Sequence, residues 1–215
     1  LTDMNKKADA SLRAADCYFM NNTFPQAADL YAEAINLNKL DVDYAIYQKA
    51  LCQGLLKKYK EKITDLKLIE TKYPGSVYTG KVLNEMADTY YENLKDEENA
   101  ILYYTKILNN YPKSSSTQNC YAKLGNIYFG RKEDDKAFEY FDKFVKADSK
   151  SEEAKNVLEQ IKTIFKAKGQ IEAMEKYFAD LGNPLNVNQV EAATYETAKT
   201  AQYDESKQNP LKWIK

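Results

Sequence analysis

The chain has 215 residues, with 7 Gly and 5 Pro, no His at all, and 31 basic side chains against 32 acidic ones. So few turn formers exclude an all-β chain and low-complexity disorder, and charges that nearly cancel exclude a global field for nucleic acid or an anionic membrane. The absence of His removes the commonest general base and metal ligand, while Cys17, Cys52 and Cys120 are too few and too scattered for a zinc site. No catalytic, cofactor-binding or metal-binding residue is therefore expected, and no cofactor. Nor does any stretch reach the roughly 18 apolar residues of a membrane span.

Taken in chain order, the sequence predicts helical hairpins at a repeating interval. The first, over residues 8–41, carries Tyr18, Ala27 and Tyr31, with Thr23-x-x-Gln26 reading as a capping box and Pro25 in the first turn of the second helix. The second, over 43–76, is the poorest copy: Gln53, Lys62 and Leu66 stand at the same three places. Its run from Lys57 to Lys62 reads as a solvated loop, not a nucleic-acid contact. The third, over 77–114, has Tyr91, Ala100 and Tyr104; the fourth, over 118–151, has Tyr128, Ala137 and Phe141; the fifth, over 152–185, has Ile164, Ala173 and Tyr177. In every copy the first landmark precedes the second by nine residues, and the second precedes the third by four. Successive copies are displaced by 35, 38, 37 and 36 residues, so the extra residues are expected between hairpins only.

Small residues at Ala27, Ala100, Ala137 and Ala173 would let two helices approach, with the aromatic one turn later filling the groove between them. Acidic residues at Glu97, Glu98, Glu133, Asp134 and Asp135 suit the positive end of a helix dipole. Pro74-Gly75-Ser76 and Pro112-Lys113-Ser114 would each stop one helix and supply an N-cap for the next. Residues 186–215 depart from the pattern. A helix from Val187 to about Tyr203, an interruption at Asn209-Pro210 and a new start at Leu211, Trp213 and Ile214 read as a cap or as a truncated sixth repeat. A start without Met and an abrupt stop at Lys215 read as a piece of a longer protein.

The fourth copy is the most explicit: Tyr121-x2-Leu124-Gly125-x2-Tyr128, then Ala137-x3-Phe141. It resembles a tetratricopeptide repeat, whose signature runs W-x2-L-G-x2-Y and then A-x3-F. The resemblance implies an all-α fold, a right-handed superhelix (α-solenoid) of stacked antiparallel hairpins whose first helices line a concave groove. It also implies which residues face that groove. The second copy would contribute Tyr44, Tyr47, Gln48 and Leu51, and the third Met86, Thr89 and Asn93. The fourth would contribute Asn119, Lys123, Asn126 and Phe129, and the fifth Leu158, Lys162 and Lys166.

Family members that hold a C-terminal carboxylate use a clamp of Lys and Asn, and no consecutive trio of copies supplies it, so carboxylate capture is not expected. The expected function is a non-enzymatic scaffold that binds a peptide or partner protein in the groove. The alternatives are a structural or self-associating module with a self-filled groove, or the appendage of a larger catalytic protein. The Lys72-Tyr73-Pro74-Gly75-Ser76 and Asn110-Tyr111-Pro112-Lys113-Ser114 junctions further resemble those of bacterial cell-envelope repeat proteins, among them the outer-membrane assembly lipoprotein and the Tol-Pal coordinator. That resemblance implies a periplasmic setting, with the cytoplasm left open.

Overall fold

The computed structural model describes residues 3–208, which places Asn209-Pro210, Leu211, Trp213 and Ile214 outside the described residues. Helices alternate with short turns throughout: α1 (Asp3–Met20), α2 (Phe24–Leu37), α3 (Val42–Leu55), α4 (Tyr59–Lys72), α5 (Thr79–Asp88), α6 (Glu97–Asn110), α7 (Thr117–Gly130), α8 (Asp134–Ala147), α9 (Glu152–Ala167), α10 (Ile171–Asp180) and α11 (Val187–Gln208). Among the described residues there is no strand. The fold is the all-α tetratricopeptide type. Close contacts divide it into two compact units, one ending at Cys120 and the other beginning at Tyr121, so that the division falls within α7.

Apolar spacing explains each helix. Along α9 the buried residues are Ala154, Val157, Leu158, Ile161, Ile164 and Phe165, one stripe at helical period; along α8 they are Ala137, Phe141, Phe144 and Val145. The two helices of each hairpin are joined through one residue in the left-handed region: Asn22 (φ 58), Lys57 (φ 60), Lys95 (φ 56), Lys132 (φ 59) and Gly169 (φ 67). The amide just after that residue donates back into the first helix. Thr23 N–H bonds to the Tyr18 carbonyl at 2.9 Å, Lys58 to Gln53 at 2.7 Å, Glu133 to Tyr128 at 2.9 Å and Gln170 to Phe165 at 3.0 Å.

These turn bonds fix the register, and they correct the sequence reading twice. In the fifth hairpin the landmark is Phe165, not Ile164, and everything after it moves by one: Met174 and Phe178 are buried, whereas Ala173 is exposed. The inward series is therefore Tyr31, Leu66, Tyr104, Phe141 and Phe178, aromatic in every copy but the second and each at most 1% exposed. In the third hairpin the turn amide of Asp96 reaches back to Tyr90, because residues Thr89–Leu94 form a π-turn that continues α5. An extra residue thus sits inside a first helix as well as between hairpins, contrary to the expectation from spacing. It shifts every residue of α5 by one relative to its counterparts.

Local devices differ from the sequence reading in detail. Thr23 makes no side-chain cap; its hydroxyl donates to the Tyr18 carbonyl. The caps that form are Asp96, accepting from Asn99 N–H, and Ser151, accepting from Ala154 N–H. Asn186 and Gln189 exchange side-chain and backbone bonds at the start of α11 in a reciprocal box. The Tyr-Pro junctions do stop α4 and α6, but their serines cap nothing directly. Ser76 instead accepts from Tyr78 N–H and donates to Asp43 across 33 residues. Lys62 is no part of a solvated loop: it lies within α4, 8% exposed, and pairs with Glu85 at 2.5 Å.

Candidate functional site

Side-chain bonds between alternate helices show the first helices standing as neighbours within each unit. In the first unit Tyr44 of α3 donates its hydroxyl to Asp16 of α1 at 2.7 Å. In the second, Gln160 of α9 donates to Asn126 of α7 at 3.0 Å, and Lys166 of α9 pairs with Glu196 of α11 at 2.7 Å. Measured back from the left-handed turn residue, Asp16, Leu51 and Asn126 stand six places before it, and Gln48, Lys123 and Gln160 nine places before it. With the π-turn residue discounted, Asp88 and Glu85 occupy the same two places in the third hairpin.

This register sorts the expected groove residues. Tyr44, Gln48, Leu51, Lys123, Asn126, Phe129, Lys162 and Lys166 are half-buried, and Asn93 and Asn119 are exposed. Tyr47 keeps 8% of its surface, its ring stacked on Tyr78 at 5.2 Å. Met86, Thr89 and Leu158 are 0%, 1% and 3% exposed. Those three belong to the packed interior and have no surface to offer a partner. Met86 and Thr89 are displaced by the π-turn, and Leu158 by the shifted register of the fifth hairpin. Their places on the first-helix face fall to Glu85, Asp88 and residues such as Gln160.

The sequence reading missed Asp16, Tyr78, Glu85, Asp88 and Gln160. One signal was available for two of them. Tyr31 donates to Asp16 at 2.6 Å, and Tyr104 donates to Asp88 at 2.7 Å, so the same pair recurs in hairpins one and three. Where the inward residue is Leu66, Phe141 or Phe178, there is no hydroxyl to satisfy, and Leu51, Asn126 and Thr163 replace the Asp. Burial and the facing carboxylate raise the Tyr31 and Tyr104 phenols above their ordinary value.

Among the described residues no three potential ligands gather for a metal ion, and no helix is long and apolar enough to cross a membrane. The three cysteines are free; burial pushes the Cys52 thiol up to about 11 and the Cys120 thiol up to about 12, which suits packing and not nucleophilic attack.

The tetratricopeptide repeat family model matches residues 44–76, 85–114 and 121–151. The chain carries tetratricopeptide repeats. No curated protein matches its sequence. Solved structures share the fold at low identity. A tetratricopeptide repeat protein from Parabacteroides merdae aligns with TM-score 0.63 and 17% identity over 82% of this chain and 66% of its own, so this chain spans just under two thirds of that relative. The pilF protein of Pseudomonas aeruginosa aligns with TM-score 0.54 and 16% identity over 97% of this chain and 94% of its own. Tetratricopeptide-like repeats of a putative kinesin light chain from Podospora anserina align with TM-score 0.57 and 13% identity over 92% and 99%. Such repeats generally mediate protein–protein interaction, and their fold is typically a non-catalytic scaffold.

Proposed function

We propose that the chain is a non-enzymatic scaffold whose first-helix faces bind a peptide segment or a partner protein. The observation that carries this reading is the Asn126–Gln160 pair. Two amides from neighbouring first helices bond to one another through Gln160 Nε2 and Asn126 Oδ1, which leaves a second amide donor and acceptor on each side to meet a peptide backbone. Half-buried Phe129 and Tyr44 supply rigid apolar area in their own units. A setting in a bacterial cell envelope belongs to the same proposal; the two Tyr-Pro junctions and the bacterial neighbours support it.

A self-filled face is the second reading, favoured by α11. Ala193 of that helix is 6% exposed in the core with Met174 and Phe178, and Thr197 donates to the Lys166 carbonyl. A photo-crosslinker at Asn126 in the native host separates the two. The proposal expects partner crosslinks there and none from a control at Leu102, which is 57% exposed on α6. Crosslinks confined to the control would refute it, and a dimer in light scattering that crosslinks only to itself would favour the second reading.

A further inference from the structure

The second helices of the hairpins each carry a solvent-facing stripe, and α6 departs from the rest. Two places before the inward residue stand Asp29 on α2, Thr64 on α4, Glu139 on α8 and Lys176 on α10, all of them exposed and polar. The third hairpin puts Leu102 there. It keeps 57% of its surface, and among the described residues of the second helices it is the one large apolar side chain left exposed. Half-buried Ile101 and Thr105 flank it, and a recess of about 650 Å³ lies over these residues, Lys106 and Asn109. Leucine at a place that four sister helices give to water gains its burial from outside the chain.

The charges on this face are arranged symmetrically about Leu102. Glu98 stands four places before it and Lys106 four places after it, one helical turn away on either side. Glu70 of α4 pairs with Lys106 and holds it alongside α6, while 42% of the Lys106 side chain stays exposed. Two α6 helices laid antiparallel about a two-fold axis through Leu102 would bring each Glu98 to the other copy's Lys106, with the leucines meeting on the axis. A parallel pairing would set like charges together. The net charge of −1 offers little resistance to the approach of a second copy.

We propose that α6 is a self-association face: two copies of this chain pair antiparallel through it, two-fold about Leu102, with Glu98–Lys106 ion pairs at both ends. One helix face buries less than the roughly 800 Å² per partner of a standard interface, so the dimer forms at high concentration and dissociates on dilution. Asn126 and Gln160 lie on other helices and take no part in it, so the dimer neither needs nor excludes a partner on the first-helix face.

Sedimentation velocity over a concentration series tests this, with charge reversal as the specific readout. Glu98→Lys sets two lysines against each other at both ends of the contact, and Lys106→Glu sets two glutamates there. Each variant alone should dimerise about tenfold more weakly than the original chain, and an equimolar mixture of the two should regain the dimer, because opposite charges then meet at both ends. A folding defect cannot produce that recovery. In a Cys17→Ser background, Leu102→Cys should form a disulfide between copies, since facing Cα atoms of two packed helices come within its reach. Photo-crosslinks from Leu102 should likewise join two copies of the chain, while those from Asn126 reach the partner. A chain that stays monomeric throughout and forms no bridge at Leu102→Cys would overturn the proposal, whatever Asn126 captures. A dimer indifferent to both reversals would place the contact elsewhere and overturn it too. So would a crosslinker at Leu102 that captures a different protein and never a second copy.

Discussion

The fourth and fifth hairpins, both in the second unit from Tyr121 onwards, solve the same packing problem in opposite ways. In the fourth, two small residues face each other: Gly125 on α7 and Ala137 on α8, with the Phe141 ring filling the space over Gly125. A Cβ built on Gly125 would lie 2.3 Å from Phe141 Cδ1, so glycine is required for this close approach. The equivalent places in the fifth carry Lys162 and Met174. There the Lys162 ammonium sits 5.3 Å over the Phe178 ring and pairs with Glu159, while its stem covers the aromatic. The second hairpin offers a third solution, with Lys62 in the small slot of α4 and Gly54 on α3 making room for it, a Cβ at Gly54 meeting the Lys62 chain at 3.2 Å. What these hairpins share is the depth of one inward side chain, Leu66, Phe141 or Phe178. Which helix carries the small residue is free to vary.

The sharpest way to break this comparison is Gly125→Val. The Phe141 ring is fully buried and has nowhere to turn, so the expected loss is about 3 kcal/mol in urea unfolding followed by circular dichroism. Adding Phe141→Leu should recover part of that loss. Equal stability of Gly125→Val and the original chain would mean that α7 and α8 do not approach as described.

The fifth hairpin also shows where sequence was legible and where it was not. The helical hairpins and their four-residue interval follow from apolar period and turn chemistry, which local sequence encodes; the nine-residue interval becomes ten in the third copy, from Tyr90 to Ala100. The phase of the fifth copy did not follow. Ala173 and Tyr177 imitate the small and aromatic landmarks, yet they lie one residue short of Met174 and Phe178, and only the turn bond from Gln170 to Phe165 reveals it. The π-turn in the third copy was invisible for the same reason: a single inserted residue within a helix leaves composition and spacing nearly unchanged. Both slips carried groove assignments with them, to Met86, Thr89 and Leu158. In α3 and α7 the register was right, and Tyr44, Gln48, Leu51, Lys123, Asn126 and Phe129 are half-buried there.

Met174→Ala and Ala173→Lys test the corrected phase directly. Removing the 1%-exposed Met174 should cost about 2 kcal/mol, because Phe178 and the α9 stripe then border a cavity. Ala173→Lys, on an exposed position, should stay within about 0.5 kcal/mol. The reverse order would restore the original phase and undo the comparison between the two hairpins.

A smaller loss than that of either core variant separates hairpins that carry an inward Tyr from those that carry Phe. Tyr104→Phe removes the bond to Asp88 and should cost about 1.5 kcal/mol, less than either packing variant, because the ring itself still fits. The same hydroxyls give the protein an alkaline limit. Tyr31 and Tyr104 hold their protons to higher pH in the folded chain than in the unfolded one, so between the ordinary value of 10.0 and the raised value the folded state binds more protons. Stability then falls as pH rises past 10, and it is fully present below it. Burial also holds Tyr47 up to about 12, so the tyrosinate absorbance of Tyr31, Tyr47 and Tyr104 should appear late in an alkaline titration or only on unfolding. Tyr104→Phe should flatten the alkaline decline without altering stability differences at neutral pH beyond its own loss. An alkaline decline unchanged by Tyr104→Phe and by Tyr31→Phe would mean that the Tyr–Asp pairs do not couple the second helices to the first-helix face.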